Sequence, residues 1–139
     1  MEENIITGTR EHMANRGKRP RGITVVALLM ILFGLAEVVT GFTHHFFDIY
    51  TQETTIFTYS GAAIGAFYVA AGILILTMRK WAAALAIALL AADVVGRIAL
   101  VATGLYPTDS FEQTFAIITG TAIAAIFAIY IGWKWSTFR

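Results

Sequence analysis

The chain has 139 residues, of which 58% are hydrophobic and 14% charged, with a formal net charge of +1. A soluble domain of this size has too much surface for its volume to hide so much apolar area, so the composition fits a single domain dissolved in a bilayer. There is no cysteine, which excludes a disulfide framework, a thiolate metal site and a cysteine nucleophile.

Residues 1–21 are polar and basic, lack apolar periodicity and read as a flexible cytoplasmic arm. Arg10, Arg16, Lys18, Arg19 and Arg21 lie in it. They act as a topology signal, or hold anionic lipid at about 1 kcal/mol each near the surface. Nucleic-acid binding needs a larger basic patch backed by a fold, and none is expected.

Four apolar runs follow, at 22–42, 56–78, 81–104 and 114–133. Each is about 20 residues or longer, which at about 1.5 Å per residue crosses a hydrocarbon core of about 30 Å. None alternates with polar residues as a membrane strand does. The expected fold is all-α: a four-helix transmembrane bundle over residues 22–135, with a short cytoplasmic tail at 136–139. The first run exceeds the apolar stretch of about 7–15 residues in a signal peptide. No small-residue cleavage pattern follows it at Gly41-Phe42-Thr43-His44-His45.

Lysine and arginine set the orientation. Arg79 and Lys80 form the turn between the second and third runs, and Lys134 and Arg139 follow the fourth. The other two connections, 43–55 and 105–113, carry Asp48, Glu53, Asp109 and Glu112 but no Lys or Arg. The positive-inside rule then puts both termini in the cytoplasm of a multi-pass cell-membrane protein. Trp81, Trp133 and Trp135 lie beside the basic residues, where amphipathic rings anchor at the interface.

Within the bundle, Gly61 and Gly65 form a small-xxx-small pair, followed by Gly72, and the fourth run carries Gly120. Such positions let helix backbones approach closely in lipid, inside one bundle or between copies in a homo-oligomer or larger membrane complex. The chain also looks repeated. Ala36-Glu37-Val38-Val39 matches Ala92-Asp93-Val94-Val95, and Ser60-Gly61-Ala62-Ala63-Ile64 matches Thr119-Gly120-Thr121-Ala122-Ile123. Two hairpins of the same topology make a parallel repeat about an axis along the membrane normal. The long first helix, acidic outer loop, Gly-rich second helix and Arg79-Lys80-Trp81 turn resemble small four-helix prokaryotic membrane proteins of unknown function. The resemblance covers about residues 22–135 and implies no activity or catalytic residue.

Glu37, Asp93 and Arg97 are the ionisable residues inside the apolar runs. A charge at the bilayer centre costs roughly 2.5–3.5 kcal/mol on insertion scales, so such residues mark a site or a structural pair. Counted from the cytoplasmic edge, Glu37, Asp93 and Arg97 lie about 22, 18 and 24 Å deep. Asp93 and Arg97 share a helix face at i,i+4. Glu37 reaches Arg97 if the first and third helices face each other, and a planar guanidinium suits two carboxylates. The trio sums to minus one. It is a structural pin, an ion or proton site, or a polar ligand site.

His44, His45 and Asp48 form a second candidate at the outer mouth. They supply too few fixed ligands for a structural metal, so no metal is expected. No cofactor is expected either, since haem ligation needs axial side chains from separate helices. Ser60 and Ser110 lack a nucleophile elbow, and no glycine loop sits in a strand-to-helix context. Tyr59 and Tyr68 can lend hydroxyls to a cavity or anchor at an interface. The expectation is a non-enzymatic accessory or scaffold subunit. The alternatives are a small transporter or channel for a proton, cation or cationic solute, and then a lipid-modifying enzyme.

Overall fold

A computed structural model describes residues 20–43, 45–46, 49–50, 55–106 and 108–139. Residues 1–19 of the basic arm, His44 and Asp48 therefore lie outside the described residues, and Arg21, read as the end of that arm, opens the first helix. Four helices make the fold: α1 (Arg21–Thr43), α2 (Thr55–Leu76), α3 (Lys80–Ala102) and α4 (Phe111–Trp133). All four are long and apolar enough to cross a membrane, with mean hydropathies of 2.5, 1.8, 2.2 and 2.1 over their most apolar stretches. Between α1 and α2, two short strands, β1 (His45–Phe46) and β2 (Ile49–Tyr50), pair antiparallel with His45 opposite Tyr50. This pairing was not foreseen, because two-residue strands leave no alternation to read.

The helix ends follow local chemistry. The Ser110 hydroxyl caps α4 by accepting the Gln113 N–H at 3.2 Å, which satisfies one of the unpaired donors of the first turn. The helix thus starts three residues before the expected 114. At the end of α3, Gly104 has φ +71°. Its N–H bonds to Val101 O and the Leu105 N–H to Leu100 O, the reciprocal pair of a Schellman stop. Glycine takes this left-handed conformation without a Cβ clash. Met78 ends α2 at φ +57°.

Each helix packs on its neighbours in the chain: α1 on α2, α2 on α3, and α3 on α4. The α1–α4 seam is light. Phe33 and Phe127 meet across it with ring centroids 6.3 Å apart, and the Tyr130 hydroxyl lies over Gly22. The α1–α2 interface is built from glycine. A Cβ on Gly34 would sit 2.6 Å from Gly65 O, and one on Gly61 would sit 3.2 Å from the Gly41 Cα. Gly72 faces Ile31 and the Ala27 carbonyl. The Gly61, Gly65 and Gly72 positions are thus filled by this chain's own α1.

The buried core favours one end, with Ile23, Ala27, Met30, Ile75, Ala83, Ala86, Leu90, Ile131 and Phe138. That end carries Arg21, Arg79, Lys80, Lys134 and Arg139, and is called the basic end here. Many larger aliphatic residues, among them Leu32, Leu35, Val95, Ile98 and Ile129, stand on the outer surface. Small residues and a charged network inside, with leucine and isoleucine outside, are the arrangement that hydrocarbon solvent favours.

Residues 136–139, read as a short tail, are tied down. A 3-10 turn at Trp135–Thr137 folds the chain back. The Arg139 N–H bonds to Met78 O at 2.9 Å, and the Lys80 N–H bonds to Arg139 O at 2.7 Å. Phe138 is 2% exposed and belongs to the core.

Candidate functional site

The three charged residues meet inside the bundle. Arg97 donates from Nε to Asp93 Oδ1 at 2.8 Å, along one face of α3, and from Nη2 to Glu37 Oε1 at 2.7 Å, across to α1. The Asp93 side chain is fully buried, that of Arg97 is 7% exposed and that of Glu37 28%. Helices α1 and α3 are diagonal partners with little backbone contact, so the long arginine spans a gap that shorter residues would leave open.

α4 supplies the seat. A Cβ on Gly120 would lie 2.7 Å from Arg97 Nη1 and 3.1 Å from Cζ. Gly120, expected as a helix-packing glycine, meets the guanidinium rather than a neighbouring backbone. α2 supplies Tyr68, which is 3% exposed. Its ring packs edge-on against Phe127 at 6.4 Å, and its hydroxyl lies 3.4 Å from Gly120 O. All four helices therefore converge on Arg97 and its acids. Gly120 was legible as a small residue of the fourth run, but what lies against it was not.

The network is incomplete at one atom. Asp93 Oδ2 is buried and makes no hydrogen bond of ordinary geometry among the described residues, and the Tyr68 hydroxyl faces the carboxylate. With two carboxylates and one guanidinium the cluster sums to minus one, and an unsatisfied buried acceptor costs about 1–3 kcal/mol, more when charged.

Towards the end opposite the basic one, Ser60 Oγ and the Tyr106 hydroxyl lie 3.3 Å apart. Tyr106 is 6% exposed, and burial pushes its hydroxyl above the usual phenol range. Ser60 was read only as lacking a nucleophile elbow, and Tyr106 was not singled out. Nothing in the spacing couples positions 46 residues apart.

Of the proposed outer mouth, His44 and Asp48 are outside the described residues and His45 lies in β1. Among the described residues, no three His, Asp or Glu side chains group as metal ligands. Tyr59 is 70% exposed.

Comparison with known protein families, curated proteins and solved structures gives no match.

Proposed function

We propose that the chain is a small, non-enzymatic integral protein of the cytoplasmic membrane, an accessory or scaffold subunit whose Glu37–Arg97–Asp93 network pins its helices. The observation that carries this reading is Arg97, buried and joined to both acids at 2.7 and 2.8 Å. A guanidinium so held locks the diagonal pair α1 and α3, which backbone packing leaves apart. Both termini face the cytoplasm, because the connections on the opposite side lack lysine and arginine. The hairpins α1–α2 and α3–α4 are a parallel pseudo-repeat. The meeting of the equivalent residues Glu37 and Asp93 on one guanidinium supports it.

The second reading is a small transporter for a cation or proton, with Glu37 and Asp93 as the coupling groups. The partial exposure of Glu37 favours it. Flux across proteoliposomes separates the two. The scaffold reading predicts no sodium, potassium or proton flux above empty vesicles under an imposed gradient. Sustained flux, lost in Asp93→Asn or Glu37→Gln, would establish the transporter instead.

A further inference from the structure

We propose that the α1–α4 seam at the basic end seats one anionic phospholipid, with its phosphate on Arg21, Lys134 and the Tyr130 hydroxyl and an acyl chain along the seam. Such a site goes beyond the helix pin. It needs an integral membrane protein but not the Arg97 network.

The first support is a cluster on α4. Tyr130 and Lys134 are four apart and share a helix face. That face is turned to α1, because the Tyr130 hydroxyl lies over Gly22, where a Cβ would leave it no room. Arg21 is the sequence neighbour of Gly22, so Arg21 and Lys134 flank the seam at one level. The Trp133 ring packs edge-on against Tyr130 at 6.4 Å, and Lys134 Nζ stands 4.6 Å from the Trp133 ring centroid. The ammonium is thus held beside an exposed indole, the kind of ring that sits at headgroup level. The Tyr130 hydroxyl makes no hydrogen bond among the described residues.

The second support is charge. Among the described residues, the basic end carries Arg21, Arg79, Lys80, Lys134 and Arg139 and no acid. The described carboxylates are Glu37 and Asp93, inside the bundle, and Asp109 and Glu112, at the opposite end. Neither Arg21 nor Lys134 makes an ion pair among the described residues. A negative headgroup supplies the missing charge, as it does at basic pockets between transmembrane helices.

The third support is the seam itself. α1 and α4 pack lightly and meet at Gly22–Tyr130 and Phe33–Phe127. These contacts are about 16 Å apart along α1, the depth of one leaflet of a core of about 30 Å. Leu29 lies on the same stripe between them and is exposed. The other side of α1 is closed by the glycine contacts with α2. A free phosphate would leave Leu29 and Trp133 uncovered, whereas a lipid joins a charged head to an apolar chain and covers both.

The test uses the purified full chain in micelles of an uncharged detergent, at fixed pH and ionic strength. Phosphatidylglycerol or phosphatidylcholine with the same acyl chains is titrated in, and the unfolding midpoint is followed by circular dichroism. A ligand that binds only the folded state raises the midpoint as it fills its site. The midpoint is expected to rise saturably with phosphatidylglycerol and not with phosphatidylcholine. Lys134→Gln and Arg21→Gln should each raise the half-saturating lipid content about fivefold, the equivalent of one basic contact at an anionic surface. Tyr130→Phe should raise it too. Arg79→Gln, at the α2–α3 turn, should leave it unchanged. Equal midpoints in the two lipids overturn the site. So does a loss in Arg79→Gln equal to that in Lys134→Gln, which would make the effect a diffuse attraction. An equal rise with soluble glycerol phosphate would make the ligand a free anion and overturn the lipid. A detergent-dependent protein indifferent to lipid charge loses the site and keeps the membrane reading. One that stays folded and monodisperse without detergent loses both.

Discussion

Gly65→Ala drives a methyl group into the backbone of α1. The new Cβ would lie 2.5 Å from Gly34 O and 2.7 Å from both Val38 N and Val38 Cγ2. Two of these three neighbours are backbone atoms that cannot rotate away. Restoring an ordinary contact of 3.4 Å moves the two helices apart by about 0.9 Å at this level. Overpacking of this kind costs about 1–3 kcal/mol, while alanine regains about 1 kcal/mol of helix propensity over glycine. The net expectation is a loss of up to about 2 kcal/mol. Gly96→Ala provides the control, because its Cβ meets nothing within 4 Å and only the propensity gain remains. Both variants are compared by denaturant or thermal unfolding in the same detergent, followed by circular dichroism. Equal stability of Gly65→Ala and Gly96→Ala would show that α1 and α2 are not in backbone contact, and would refute the glycine seam.

Gly120→Ala sets a methyl group 2.7 Å from Arg97 Nη1. It should destabilise the protein by about 1–3 kcal/mol, and less when combined with Arg97→Ala, as the same unfolding assay reads. Phe138→Ala empties a nearly fully buried position and should cost about 3–5 kcal/mol. Proteolysis should then cut the last residues sooner. Topology is read by single-cysteine labelling with an impermeant reagent: Asp109→Cys should react in intact cells and Lys80→Cys should not, and the reverse pattern would invert the orientation.

Much of this architecture is legible in the chain itself. Length and hydropathy mark all four helices, with ends within about three residues of those observed. The trio was legible because an acid and a base at i,i+4 must share a face, and because the rise per residue places Glu37 at a matching depth. What escaped is non-local. Gly34 looks like an isolated glycine until α2 brings Gly65 against it. Gly120 reads as a packing residue until a guanidinium from α3 lies over it. The bridge from Arg139 to Met78 and Lys80 uses main-chain groups, which every residue carries and no pattern reveals. Tyr68 was visible as a hydroxyl near the membrane, but only the fold turns that hydroxyl towards Gly120 and Asp93.

The central claim is that Arg97 holds the bundle together by pairing with Glu37 and Asp93, and a double-mutant cycle tests it most directly. Unfolding free energies of Arg97→Ala, Asp93→Asn and the double variant are compared with wild type in one detergent. Removing Arg97 alone leaves two acids without their cation, and broken buried pairs cost about 3–5 kcal/mol. Arg97→Ala should show a loss of that size, and adding Asp93→Asn should recover part of it. An Arg97→Ala protein that unfolds at the wild-type midpoint would contradict the account.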